Sequence, residues 1–316
     1  MQLILFAVAV AGGSIDSSSV SIYSRLLFRG AKLNKTQNSK IQIDLDRIVS
    51  ALKAGGEIYR SKSMDNVRIH TKNSGDAVTD AELQVNQLLF EMLVQNGDGW
   101  LSEETVDNEQ RLRHSRVWLV DPLDGTKEYV ERIPEWCISI ALLEDGELAA
   151  GGVFNPQTDE LIYGSPESGV VYRNGATPNA ERKGLPRDAL VLASRSEVKR
   201  GEWRRFSEGP FQTLAMGSVA YKLALVAAGK ADATWTLVPK NEWDVAAGVA
   251  LLQFAQGHVL TTEGSPPTFN RRSPLFPGLV GFSAGGIGRL QPFLKTVLEG
   301  NEFRDCLPWA RPLASL

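Results

Sequence analysis

The sequence predicts a layered α/β protein built in two parts. Residues 41–186 read as two helices followed by a largely antiparallel sheet, and residues 187–316 alternate strand and helix, the pattern of a second α/β unit. Composition agrees with a packed globular chain. Of 316 residues, 43% are hydrophobic and 22% charged, which excludes a disordered chain, a collagen and a coiled coil.

In the first part, Ile43, Leu45, Ile48, Val49, Leu52 and Ile58 recur at helical spacing. A second helix is expected from about Thr79 through Leu83, Leu88, Leu89, Met92 and Leu93, where Asn96-Gly97 stops it. Strand-like runs follow at Val117–Val120, Cys137–Leu143, Ala149–Phe154, Leu161–Tyr163 and Val170–Tyr172, punctuated by Glu144-Asp145-Gly146 and Asn174-Gly175. After the polar stretch Pro178–Pro186 come a strand at Leu190–Ala193, a helix near Glu197–Phe206 and a strand at Thr213–Met216. A helix at Val219–Ala228, a strand at Ala233–Leu237 and a helix at Val245–Phe254 continue the alternation. Strands at Val259-Leu260 and Leu279–Phe282 and a final helix near Ile287–Leu298 complete it.

Residues 1–40 stand apart as an N-terminal extension. Five Lys and Arg against Asp16 alone give it a local +4, whereas the 29 basic and 36 acidic side chains that follow leave the body at −7. The apolar run Leu3–Ala11 is far shorter than the about 20 residues that span a bilayer, so no membrane anchor is expected. It has the length of a signal-peptide apolar region but no basic residue before it. The Ser-rich, acid-poor stretch that follows is transit-like, and a start codon assigned too far upstream accounts for the segment equally well. The body is expected in the cytoplasm.

The net charge of −3 supplies no broad cationic field, so no nucleic-acid polymer is expected as a partner. Cys137 and Cys306 lie far apart, and His70, His114 and His258 have no zinc spacing; neither a disulfide framework nor a zinc site is supported. His114, among Arg111, Arg113 and Arg116, reads as a solvated basic loop.

The sequence has no G-x-S-x-G elbow, P-loop, G-x-G-x-x-G after a strand or H-E-x-x-H pair. What remains is a set of acids at strand ends and turns. The strongest string is Asp121-Pro122-Leu123-Asp124-Gly125-Thr126, directly after the apolar run Val117–Val120. A buried strand ending in acid, Pro, acid and Gly must turn sharply, presenting two carboxylates and the Leu123 carbonyl on one rim, the hard oxygen ligands that Mg²⁺ prefers. Gly125 permits close approach of a ligand, and a helix beginning at Thr126 would aim free N–H groups at a phosphate. Taken alone, the same string is also an ordinary turn.

Three further acidic segments accompany it. Leu101-Ser102-Glu103-Glu104 alone reads as an exposed turn. Asp244, in Glu242-Trp243-Asp244-Val245-Ala246-Ala247-Gly248, alone reads as a helix N-cap, and Asp76-Ala77-Val78-Thr79-Asp80 as a helix start.

In order, spacing and neighbours, these segments together resemble the inositol monophosphatase superfamily of Mg²⁺-dependent, lithium-sensitive phosphatases, over about residues 43–300. Asp121-Pro122-Leu123-Asp124-Gly125-Thr126-Lys127-Glu128-Tyr129 is most similar to the 3'(2'),5'-bisphosphate nucleotidases. The resemblance implies an alternating α/β/α/β/α sandwich of the inositol monophosphatase and fructose-1,6-bisphosphatase type. It also implies two or three Mg²⁺ ions per site, a small phosphorylated substrate and a tendency to form homodimers. By the same resemblance Glu103, Asp121, the Leu123 carbonyl, Asp124 and Asp244 hold metal, and Thr126 and Asp76, with Glu103, activate the attacking water. Gly125 and Thr126 would cradle the phosphate; Arg195, Gly217, Ser218 and Lys222 would contact the rest of the substrate. Such chemistry needs metals because a phosphomonoester dianion repels hydroxide.

Lys127-Glu128-Tyr129 and Ser194-Arg195-Ser196 resemble the nucleotidase branch, and Arg195 would contact a second phosphate. Against this, Gly217-Ser218-Val219-Ala220-Tyr221-Lys222 is spaced to Ala227-Ala228-Gly229 more like the inositol phosphatases. The expected activity is hydrolysis of the 3'-phosphate of adenosine 3',5'-bisphosphate to AMP and phosphate, with an inositol phosphate or another sugar phosphate as the alternative. A catalytically idle phospholigand-binding regulator is disfavoured by the complete set of acids.

Overall fold

A computed structural model describes residues 35–62, 69–71, 77–95, 97–174, 177–178, 189–207, 209, 211–286 and 290. Residues 1–34 of the N-terminal extension, Asp76, Cys306 and the final helix apart from Leu290 lie outside the described residues.

Helix α1 (Lys35–Ser61) begins inside the segment set aside as an extension. The short pair β1 (Ile69–Thr71) and β2 (Ala77–Thr79) leads into α2 (Asp80–Leu93). Thr79 and Glu82 form a capping box there, each side chain accepting from the other residue's N–H. Then come β3 (Asp98–Ser102), β4 (Arg116–Asp124), the one-turn helix α3 (Thr126–Val130), β5 (Cys137–Glu144), β6 (Glu147–Asn155), β7 (Glu160–Ser165), β8 (Gly169–Asn174) and β9 (Thr177–Pro178). These seven strands form one sheet in sequence order, antiparallel except for the parallel pair β3–β4.

The second part holds β10 (Ala189–Ser194), α4 (Arg195–Lys199), β11 (Phe211–Met216), α5 (Val219–Ala227), β12 (Ala233–Thr236) and β13 (Lys240–Asn241). It continues with α6 (Glu242–Phe254), β14 (His258–Thr261), β15 (Leu275–Phe276) and β16 (Leu279–Phe282). Five of its strands make a mixed sheet in the order β11-β10-β12-β16-β14, and β13 pairs with β15 beside it.

Alternation along the strands sorts side chains into three cores. Trp118 and Val120 of β4, with Ile138 and Ile140 of β5, pack under α1 and α2 against Leu45, Ile48, Val85 and Leu89. Val117 and Leu119, with Ala141 and Leu143, face the opposite way onto α5 and α6, which also cover Leu192, Val259 and Leu279 of the second sheet. The far side of that sheet buries Val191, Ala193, Trp235 and Phe282 under Trp203, Phe206 and Leu290. Helix, sheet, helix, sheet and helix thus alternate as the resemblance implies. Burial of β4 on both faces is why it reads as an unbroken apolar run.

Several sequence expectations change. The half-buried strand β3 has too little apolar content to stand out, and its parallel pairing comes from the fold. The helix expected at Glu197–Phe206 breaks at Gly201, in the left-handed region at φ 79°, into α4 and a 3₁₀ turn at Glu202–Phe206. Helix α6 starts earlier than Val245 because Asn241 caps it, which places Asp244 in its first turn rather than at the cap. The basic loop is not wholly solvated either. Arg111 is buried, pairing with Asp107 and donating to the Asn270 side chain and the Arg271 carbonyl, and Arg116 bridges Asp44 of α1 and Asp98 of β3.

The two inner helices meet at Gly248, where an added Cβ would lie 2.4 Å from Leu223 Cβ and 3.2 Å from the Ala220 carbonyl oxygen. Gly to Ala ordinarily favours a helix by about 1 kcal/mol. Overpacking reverses the sign here: Gly248→Ala is expected to cost about 1–3 kcal/mol in urea denaturation, and a variant more stable than the parent would refute the close approach.

Candidate active site

The site begins at the end of β4. Pairing with β5 is regular down to Asp121 opposite Ser139, then shifts before Asp124 meets Cys137. In that irregularity Asp121, 1% exposed, turns its Oδ1 to accept the Leu123 N–H at 2.9 Å. Tyr59 holds the turn from below by donating its hydroxyl to the Pro122 carbonyl at 2.9 Å. The ring of Tyr59 lies edge-on to Tyr129 and Trp136, which also contact each other edge-on. Such packed aromatics fix a backbone turn firmly.

Gly125 follows with φ 104° and caps α3. A side chain there would meet Trp136 Cβ at 3.0 Å and the Glu135 carbonyl oxygen at 3.1 Å, so both conformation and space require glycine. The Thr126 hydroxyl has two acceptors within reach, the Leu123 carbonyl at 3.3 Å and Glu82 Oε1 at 3.4 Å.

Three elements bring acids to this turn. Parallel pairing sets Ser102 opposite Val120, so Glu103 and Asp121 leave their strands side by side. Asp244 enters from the first turn of α6, its Oδ2 accepting the Asn241 N–H at 2.9 Å. Carboxylate oxygens of Glu103, Asp121 and Asp244 all lie within 4.8 Å of one another. Glu103 also belongs to a second group with Glu82 and Glu104. Asp124, beside the first group, accepts Ser218 Oγ and the Ala220 N–H with Oδ2, both at 2.6 Å, which ties it to the start of α5.

Electrostatics gives this crowding a direction. Burial, followed by the charges of Glu103, Asp124 and Asp244, raises Asp121 well above the usual carboxylate range. Burial likewise pushes Asp244 up to about 7; nearby Lys240 opposes the shift, while Asp124 and Glu103 add to it. Hard carboxylate oxygens drawn this close, and reluctant to ionise without a counter-charge, fit a divalent cation of the Mg²⁺ type.

Of the residues singled out in the sequence, Glu103, Asp121 and Asp244 form one cluster, with Asp124, the Leu123 carbonyl, Gly125 and Thr126 at its edge. Gly217 and Ser218 reach it through the loop before α5, where Ser218 adopts φ 51°. The two cations are differently engaged. Arg195 pairs with Glu135 at 2.5 Å, and Glu135 also takes the Gly217 N–H at 2.7 Å. Lys222 is 3% exposed and donates to the carbonyls of Met216, Gly217 and Ser218 at 3.2, 3.0 and 2.7 Å. Both therefore hold the 216–218 loop. Burial lowers Lys222 to about 8, against the raising effect of Asp124.

Sequence reasoning missed Glu82, Glu135 and Lys240. Glu82 had a legible signal, the spacing of Thr79 to Glu82 as a capping box, but the approach of its second oxygen to Thr126 required the tertiary structure. Nothing local marked Glu135 or Lys240.

A carboxylate cluster that could hold a metal ion, on a five-layer α/β frame, is consistent with a metal-dependent phosphatase, and comparison with known proteins identifies the family. The chain belongs to the inositol monophosphatase family, whose model matches residues 43–286. An inositol-1-monophosphatase of Mesorhizobium japonicum is 31% identical over 227 residues, 69% of this chain and 84% of its own. The 3'(2'),5'-bisphosphate nucleotidase CysQ of Escherichia coli is 33% identical over 224 residues, 69% of this chain and 89% of its own. Among solved structures, an inositol monophosphatase of Thermotoga maritima matches with a TM-score of 0.67 and 24% identity, covering 83% of this chain and 98% of its own, a likeness of fold. Among the described residues no helix is long and apolar enough to cross a membrane.

The raised acids set a pH dependence. Asp244 titrates near 7 when folded against 3.8 ordinarily, so between these values the native state holds more protons than the unfolded chain. Its contribution to stability is therefore lost as pH rises through that window, and a cation that binds the ionised form restores it. The melting-temperature gain caused by Mg²⁺ is expected to grow as pH rises from about 4 to about 7, and to grow less in Asp244→Asn; a gain independent of pH in the parent protein would contradict this.

Proposed function

We propose that this phosphatase is Mg²⁺-dependent and removes the 3'-phosphate of adenosine 3',5'-bisphosphate, giving AMP and phosphate. The observation that carries the chemistry is the convergence of Glu103, Asp121 and Asp244 beside the Asp124–Thr126 turn. Glu103, Asp121, the Leu123 carbonyl, Asp124 and Asp244 would hold two or three ions. When bound, such ions neutralise the phosphate and the departing alkoxide and make a water molecule more acidic.

The protein's own groups do the positioning. The Thr126 hydroxyl, facing the Leu123 carbonyl and Glu82, keeps lone pairs to accept from the attacking water; by the family resemblance Asp76 would share that task. Gly125 and Thr126 border the phosphate. Glu103 belongs to both carboxylate groups and so links Glu82 and Glu104 to Asp121 and Asp244.

Lys127-Glu128-Tyr129 and Ser194-Arg195-Ser196 support the nucleotidase assignment, as does the likeness to CysQ. One observation favours an inositol phosphate instead: Glu135 already neutralises Arg195, the cation expected to read a second phosphate. A homodimer and a cytoplasmic location belong to the same reading.

Two measurements test it. Asp124→Asn keeps an acceptor for Ser218 and Ala220 while removing the charge, so phosphate release should fall by at least about 100-fold with the circular dichroism spectrum unchanged. Near-normal turnover would sink the site assignment. Adenosine 3',5'-bisphosphate, myo-inositol 1-phosphate and fructose 1,6-bisphosphate should be compared with Mg²⁺ and with added Li⁺; the first is expected to give the highest kcat/KM, and preference for inositol phosphate would transfer the assignment to the alternative.

A further inference from the structure

With Arg195 and Lys222 committed to the 216–218 loop, the side chain left to meet a distant anionic group is Lys240. It stands on β13 opposite Phe276, immediately before Asn241, the residue whose N–H binds Asp244 Oδ2 at 2.9 Å. Its Cα is therefore within roughly 5 Å of that carboxylate oxygen by covalent geometry alone, and the lysine stem is long enough to carry the ammonium along the rim of the site. Lys240 is half-buried. Among the described residues its side chain has no hydrogen bond or ion pair.

Among the described residues, the other cations named for this site already have partners. Arg195 is paired with Glu135, Lys222 has three carbonyl acceptors, and Lys127 is exposed near Glu131 on the outer face of α3. The charge of Lys240 is felt in two directions, holding the Asp244 carboxyl down and the Lys222 ammonium down. On β13, next to the residue whose N–H holds Asp244, Lys240 thus borders the acid cluster. A cation there has little to gain from an inositol ring and much to gain from a second phosphate on the leaving group, since charge-assisted contacts to phosphate are about twice as strong as neutral ones.

We propose that Lys240 is the specificity-determining residue that reads the second phosphate of a bisphosphorylated substrate. The inference rests on the bisphosphate reading and deepens it: the hydrolysed group is held by the acids and the Thr126 turn, and the retained group by Lys240.

The test compares kcat/KM for adenosine 3',5'-bisphosphate and for 3'-AMP, which lacks the second phosphate, in the parent protein, Lys240→Met and Lys240→Arg at saturating Mg²⁺. The parent ratio is expected to favour the bisphosphate, Lys240→Met to lower that ratio about tenfold, chiefly through KM, and Lys240→Arg to retain most of it. Lys240 is half-buried, so both variants are expected to fold, checked by an unchanged circular dichroism spectrum. If the parent prefers the bisphosphate and Lys240→Met keeps the same ratio, the role of Lys240 is overturned while the substrate reading stands. If the parent shows no preference between the two nucleotides, both are overturned.

Discussion

Glu103, Asp121 and Asp244 bring their carboxylates within 4.8 Å of one another, and burial together with this crowding raises the pKa of Asp121 and Asp244. In water such carboxylates would drift apart and be screened; at the junction of two sheets and two helices they can do neither. The surrounding hydrogen bonds fix direction without cancelling charge. Asp121 is held by the Leu123 N–H, Asp244 by the Asn241 N–H and Asp124 by Ser218 and Ala220. The fold thereby keeps a repulsive arrangement in place, one that a divalent cation could relieve.

That constraint explains why the frame is so heavily built around one turn. Tyr59, Tyr129 and Trp136 pack beneath it, and the bare backbone of Gly125 lets Trp136 come within contact distance. The starts of α5 and α6 deliver Ser218, Ala220 and Asp244, and the two helices are locked together where Gly248 meets Leu223. Since each helix carries a partner of the acid cluster, any slide of one past the other would change the spacing of the acids. Packing precision in the middle layer is in this sense a property of the active site.

Much of the fold was legible because its main strands are buried on both faces. Val117–Val120 and Cys137–Leu143 read as apolar runs, and α5 and α6, also enclosed, read as small-residue helices. The acid turn was legible too, because Asp-Pro-Leu-Asp-Gly combines a chain reversal with ligand chemistry at a strand end. Elements whose identity depends on partners were not. Strand β3 gains its place from pairing with β4, the Gly201 break from the packing of Trp203 and Phe206, and the burial of Arg111 from Asp107, Asn270 and Arg271.

The sequence by itself determined the reaction class and the inventory: acids at a strand end, an acid pair upstream, an acid in a helix first turn, and the order that marks a metal-dependent phosphatase family. Those features are local, set by residue type and short spacing. Which acids share one space and which cations are already paired were decided only by tertiary structure. The reason is that pairing is a through-space property. Glu135 reaches Arg195 across 60 positions and Asp124 reaches Ser218 across 94, separations over which no sequence pattern dictates contact.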